Sequence, residues 1–191
     1  MSKIKWYEDE EQKEFVLNRF KEELNIRACW VIQAHEHISS LRKNGKNNEQ
    51  LIIKEAMDLI SNAVVMDRIT DKNAIGARDH EVSRVKKRVA LIRDKWPNLP
   101  EKPPEGLRKV RNAYEHFDAK LDDWATKSKR QFILDSSVLN TNTELDYKEL
   151  GIKRFESLRT LRGNTLYYCD SKVDLDQVVA WAAQIVYSIH R

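Results

Sequence analysis

The sequence predicts a mainly helical fold, an up-and-down helical bundle with a small β insertion before a C-terminal helix. Three observations predict it. Long stretches carry apolar residues spaced alternately three and four apart, as one buried helix face requires. The links between them are mostly short and rich in Asn, Gly or Pro. After Lys129 the character changes, and aromatic and β-branched residues gather in short runs around a turn.

The first helix is expected over 11–43, with Phe20, Leu24, Ala28, Val31, Ala34, Ile38 and Leu41 on its apolar face. A turn over 43–48, read from its Asn and Gly, leads to a second helix over 49–69 that uses Ile53, Ala56, Met57, Ile60, Ala63 and Val64. A connector over 70–76 precedes a third helix over 77–95, whose stripe is Val82, Val85, Val89, Ile92 and Trp96. Pro97, Pro100, Pro103 and Pro104 forbid helix and give a stiff link. The last of them stand at the start of a fourth helix over 103–124, where proline is tolerated. Its stripe reads Leu107, Val110, Tyr114, Phe117, Leu121 and Trp124. Residues 131–134 read as a short strand and 135–144, rich in Ser, Thr and Asn, as a surface loop. Two strands, 155–161 and 165–169, flank a turn at Arg162-Gly163-Asn164. A final helix over 174–190 is capped by Asp174 and buries Leu175, Val178, Val179, Ala182, Ile185, Val186 and Ile189.

These elements make most naturally one domain of 191 residues: a helical core over 11–126, a β-containing insertion over 129–170 and a C-terminal helix over 174–190. Charged residues are 34% of the chain, with 34 Lys and Arg against 30 acids, so the net charge of +4 permits an anionic partner without demanding one. Met1 to Trp6 is followed by acids, unlike a secretory leader, and no apolar run reaches the ~18 residues of a membrane span, so a cytoplasmic protein is expected. Cys29 and Cys169 are far apart, without metal-like spacing, and read as one or two reduced core thiols.

Chemistry concentrates in Arg111-Asn112-Ala113-Tyr114-Glu115-His116. At about 100° per residue, Arg111 falls about 90° to one side of the stripe, His116 about 130° to the other, and Asn112 points away from it. Asn112 and His116, four apart, stack on the outer face. An imidazole that titrates near neutral pH can take a proton from a ribose 2′-hydroxyl or give one to the leaving oxygen. A guanidinium can stabilise the charge growing on the attacked phosphate, and Asn112 can orient His116 or hold a phosphate oxygen. The same spacing also fits an ordinary surface helix in which Arg111 pairs with Glu115 and His116 is merely exposed. Tyr114, on the stripe, reads as core packing with a wet hydroxyl.

An Arg, a polar residue next to it and a His four to six positions after the Arg, in a late helix of a small bundle, resembles the HEPN superfamily. The likeness rests on Arg111, Asn112 and His116 and covers about residues 10–126. It implies a metal-independent endoribonuclease with Arg111, Asn112 and His116 as catalytic residues. It also implies a homodimer with a composite site, and a toxin or antiviral defence setting with a possible antitoxin or regulatory partner. One helix supplies one imidazole, so a two-fold dimer would complete an acid–base pair. Some members carry a Tyr two residues after the motif His as a target for nucleotide modification; here that residue is Asp118, which argues against that pairing.

Other features are plainer. Arg84, Lys87 and Arg88, in a third helix made locally basic by Lys86 and Arg93 as well, are either a solvated face or an RNA-facing patch, and Arg154, Arg159 and Arg162 invite the same choice. His35 and His37, two apart on a helix, face different ways and make a poor metal pair, so no metal is expected. The five glycines stand singly, without a phosphate-binding loop, no Ser or Cys nucleophile motif appears, and no cofactor is expected. Two rival classes fit the same residues: a non-catalytic module of this kind that binds nucleotide or RNA or dimerises as a scaffold, and a regulatory partner that blocks a nuclease. Retention of both Arg111 and His116 favours the enzyme.

Overall fold

A computed structural model of the chain describes residues 6–44, 48–71, 73, 82–127, 135–139 and 158–191. It is a mainly helical bundle with a small four-stranded sheet before the final helix. The strand expected over 131–134, Arg154 and the first residues of the expected third helix lie outside the described residues.

Helices α1 (Glu10–Lys43) and α2 (Glu49–Thr70) form the central pair. The Asp9 side chain accepts from Gln12 N–H at 2.8 Å and starts α1 one residue earlier than the periodicity suggests. The two helices run antiparallel, since Arg27 Nη1 donates to Asn62 Oδ1 at 3.0 Å and His37 Nδ1 lies 3.3 Å from Glu55 Oε1. The expected stripes of both are buried, apart from Phe20, which is partly buried. Helix α3 (Val82–Lys95) buries Val89 and Ile92, and Trp96 follows it into the core. Arg93 reaches from α3 to the Thr70 and Pro100 carbonyls at 2.8 and 3.0 Å, satisfying an acceptor at the end of α2 and another in the proline-rich link.

The single helix expected over 103–124 is two helices, α4 (Leu107–Glu115) and α5 (Phe117–Lys127), broken at His116. Pro103 and Pro104 precede α4 rather than opening it, and Gly106 is its N-cap. The stripe is corrected accordingly. Ala113 is buried with Leu107 and Val110, whereas Tyr114 is 47% exposed and Leu121 37% exposed. Phe117 is partly buried beside the core, with its ring edge-on to Tyr168 at 6.0 Å. The run holds no Gly or Pro to announce the break; Phe117, the first residue of α5, sets its ring against Tyr168 of β3 and beside Arg159 of β2.

The sheet has the order β1-β2-β3-β4, from β1 (Ser137–Leu139), β2 (Arg159–Arg162), β3 (Thr165–Tyr168) and β4 (Ser171–Asp174). β1 is parallel to β2, and the other two pairs are antiparallel. Three readings are corrected here. Ser137 to Leu139 is a strand within the segment expected to be a loop, because Val138 pairs in register with Leu161 and packs on the core. Cys169 leaves the strand expected over 165–169, with φ of 52° in the turn to β4. β4 itself, four residues long, was not expected. Leu161, Leu166 and Val173 are paired across the strands as one buried row.

Helix α6 (Leu175–Ile189) follows β4 directly, and the Asp174 side chain caps it by accepting from Asp176 and Gln177 N–H at 2.9 and 3.1 Å. It lies antiparallel to α1, with His35 Nε2 2.8 Å from Asp176 Oδ1 and His190 Nε2 3.1 Å from Asn25 Oδ1. Arg42, near the far end of α1, grips the β2–β3 turn through Gly163 O and Asn164 Oδ1, and burial lowers its guanidinium pKa. Among the described residues the buried apolar side chains, Val89 apart, form one cluster from Leu17 to Ile189. Among the described residues no helix is long and apolar enough to cross a membrane.

Candidate active site

The first turn of α4 is fixed from two sides, and this sets where the motif stands. Gly106 has φ of 87° and lies against β4 so closely that a Cβ there would sit 1.8 Å from Lys172 O. Only glycine tolerates both the left-handed backbone and the approach. On the opposite flank, Arg108 forks onto the buried Asp67 with Nε and Nη2 each 2.7 Å from a carboxylate oxygen, and Nη2 reaches Asp71 Oδ2 at 2.6 Å. Burial raises the Asp67 pKa against the pull of Arg108. For Asp71 burial also raises, but the Asn73 N–H and Arg108 outweigh it, and its pKa is lowered. The hydrogen bonds to Asp67 lead in pushing the Arg108 pKa well up, so this guanidinium stays charged and committed to the two acids.

One turn further on comes the motif. Arg111 is partly buried, and Asn112 and His116 are exposed. Arg111 Nη1 donates to Asn112 Oδ1 at 3.1 Å, and Nη2 is paired with Glu115 Oε1. Its Nε is buried without a hydrogen-bond partner. Arg68, from the last turn of α2, approaches the same Glu115 oxygen with Nη2 at 3.8 Å. His116 is the C-cap of α4: its N–H donates to Asn112 O at 3.2 Å and its own carbonyl accepts from Lys120 N–H at 3.1 Å. The imidazole makes no hydrogen bond among the described residues and stands at the α4–α5 break. The Arg111–Glu115 pairing weighed from spacing is therefore present, with Arg68 joined to it.

The basic residues of α3 are largely engaged in packing. Arg88 donates from Nη2 to Arg68 O at 2.8 Å and lies over the Phe20 ring, Lys87 sits over the Tyr7 ring at 3.7 Å, and Arg84 is exposed. Arg88 nevertheless brings this helix beside Arg68 and so toward the motif. In the sheet, Arg159 pairs with Asp135, which leads in raising its pKa, and lies 5.2 Å from the Phe117 ring centroid; Arg162 covers the Tyr167 ring.

Tyr114 and Arg68 are the neighbours that reading the sequence missed. Tyr114 was assigned to the core, yet its ring is exposed and edge-on to Tyr168 at 6.1 Å. Arg68 had no signal of its own, because its link to Glu115 spans two helices. Cys29 is exposed and Cys169 buried, and no group of three or more His, Cys, Asp or Glu residues is placed to hold a metal ion among the described residues. His35 and His37 each face a different acid, Asp176 and Glu55. The chain matches no protein-family model, no curated protein and no solved structure.

Proposed function

We propose that the protein is a metal-independent endoribonuclease of the HEPN type, acting as a homodimer with a composite site. The observation that carries this reading is the presentation of Asn112 and His116 on the exposed side of α4, with Arg111 beside them on a helix held at both flanks of its first turn. His116 accepts the proton of the substrate's 2′-hydroxyl as that oxygen attacks the adjacent phosphorus, and the 5′-oxygen leaves. Arg111, turned off Glu115, places its planar fork on the phosphate oxygens. Asn112 orients the imidazole or holds one of those oxygens. The second copy supplies the acid that protonates the leaving oxygen. Tyr114 and Leu121, exposed on the two helices that meet at His116, offer apolar surface for that copy. The family likeness adds a toxin or antiviral defence setting, with a neutralising partner as a further expectation.

The test is incubation of the purified protein with RNA in EDTA, with product ends read by mass spectrometry. The expected products carry a 2′,3′-cyclic phosphate and a 5′-hydroxyl, DNA is spared, and light scattering gives twice the chain mass. His116→Ala lowers the rate by about 10²–10⁴-fold. Arg111→Lys does not restore full activity, because the fork is gone. A 3′-hydroxyl product, or undiminished cutting by His116→Ala, overturns the mechanism. A second reading is a non-catalytic module that binds RNA or dimerises, and the pairing of Arg111 with Glu115 favours it, since a surface ion pair is all that a binding face requires. Absence of cleavage of any RNA by an intact dimer selects that reading.

A further inference from the structure

We propose that Glu115 holds the place of an RNA phosphate in a two-arginine cradle, formed by Arg111 of α4 and Arg68 of α2, so that Arg68 is a substrate-binding residue and Glu115 its intramolecular competitor. The inference deepens the reading of the motif as an RNA-facing surface and rests on it. Two guanidiniums from different helices converge on one carboxylate oxygen, Glu115 Oε1. A phosphodiester carries the same single charge as that carboxylate and likewise presents two free oxygens. It can therefore replace the carboxylate without leaving either cation unpaired. The Glu115 side chain is 41% exposed, and an ion pair so open to water is cheap to break. Arg111 Nε–H has no acceptor, so the guanidinium is incompletely satisfied in its present pairing.

Arg68 is anchored by one ion pair among the described residues. Its guanidinium makes no hydrogen bond and no ion pair other than that with Glu115 among the described residues, and its side chain is 49% exposed. Arg108, by contrast, is the nearby arginine that holds the fold, bound to Asp67 and Asp71. The cradle also has a direction. Arg88 donates to the Arg68 carbonyl, so α3, with Arg84 exposed on it, lies beside Arg68. A strand whose scissile phosphate lies at Arg111 would set a neighbouring phosphate on Arg68 and run on toward α3. Glu115 then sets a threshold. A ligand must offer enough phosphate contacts to displace it, so a single weakly held anion leaves the motif arginine closed.

The experiment uses the full chain and a short single-stranded oligonucleotide with 2′-O-methyl riboses, which cannot attack its own phosphates and stays intact. Binding is followed by fluorescence anisotropy across a salt series. Glu115→Gln is expected to tighten binding about tenfold at low salt, as an uncovered charge-assisted contact would. Arg68→Ala is expected to weaken binding and to lower the slope of log K against log salt by about 0.7, the share of one single-strand phosphate. In an Arg68→Ala background the gain from Glu115→Gln shrinks, because half of the cradle is missing. Unchanged or weaker binding by folded Glu115→Gln overturns the proposal, as does an equal gain in the Arg68→Ala background or an absence of binding by every form. Should Glu115→Gln fail to fold, the Arg68→Ala slope decides alone. Because the probe is never cut, a protein that cleaves no RNA can still pass this test. Cleavage accompanied by unaltered binding sinks the cradle and leaves the nuclease standing.

Discussion

Arg108 on α4 and Asp67 on α2 meet as a parallel pair of hydrogen bonds, 2.7 Å each, with the Asp67 residue 1% exposed. The pair joins the helix that carries the motif to the central hairpin, and Asp71 closes the arrangement from the next turn. Removing the cation strands two buried acids. Removing one acid leaves a partly exposed arginine that still has another.

Arg108→Ala is therefore expected to cost more than Asp67→Ala, with about 3–5 kcal/mol lost in the first case, as when a buried pair loses one member. Urea unfolding at neutral pH measures both. In Arg108→Ala the stranded carboxylates bind protons more readily folded than unfolded. Groups with raised folded pKa values contribute more stability below the unfolded pKa, so this variant should recover part of its loss as the pH falls toward the carboxylate range. A loss for Arg108→Ala no larger than that for Asp67→Ala would show that the acids tolerate exposure.

Gly106→Ala is expected to destabilise the protein by at least about 2 kcal/mol, because a left-handed backbone and a clash with backbone atoms add. The clash is with the backbone of Lys172, which cannot swing away as a side chain could. Thermal melting reads the effect, and a variant that melts with the parent would mean that α4 and β4 separate at little cost.

His116→Ala is expected to change stability by less than about 0.5 kcal/mol, since the imidazole is exposed and makes no hydrogen bond among the described residues. Phe117→Ala should fall below the roughly 3–5 kcal/mol of a fully buried aromatic. Its ring is only partly buried and rests on Tyr168 and under Arg159. Paired melts of the two variants check this, and a Phe117→Ala loss at the full core value would restore the continuous-helix register.

Alkaline pH should weaken the β3–β4 turn. Burial pushes the Cys169 thiol up to about 11 and the Tyr168 phenol up to about 12. Both folded values exceed the ordinary ones of 9.0 and 10.0, so the stability these groups contribute is complete below those values and is lost as the pH rises through 9 to 12. The urea midpoint should fall across that range, and Cys169→Ala should flatten the lower part of the fall. At pH 8 a thiol reagent should label the exposed Cys29 and spare Cys169 until the chain unfolds. Equal labelling rates in the folded protein would contradict the burial.

Much of the helical frame could be read from the residues because the period is carried many times over. The stripes of α1 and α2, and that of α6 with its Asp174 cap, repeat across several turns, so no single residue decides them. The break at His116 had no such redundancy. It coincides with the contacts of the Tyr114 and Phe117 rings with Tyr168, and those contacts join residues far apart in the chain. β4 is too short to show alternation, and β1 is a strand only because Leu161 lies beside Val138. The Arg108 triad did leave a trace: Asp67 and Asp71, four apart among Met66, Ile69 and Thr70, place two acids on a buried face and so require a cation. At the site, the exposed side of α4 carrying Asn112 and His116 was legible from the helical angle. The second arginine was not, because Arg68 comes from another helix.

The contact of Gly106 with Lys172 has a bearing on the order in which a growing polypeptide can take shape. The α1–α2 hairpin and the α2–α4 clasp draw only on residues up to Arg108, and both can close while later residues are still being added. The seat that fixes α4 from its other flank is β4, which emerges much later and leads straight into α6, the partner of α1. An emerging chain can therefore clasp the motif helix on one side only until the last strand and helix arrive. A chain that stops short of Lys172 would display the motif residues on a helix held by the Arg108 clasp alone.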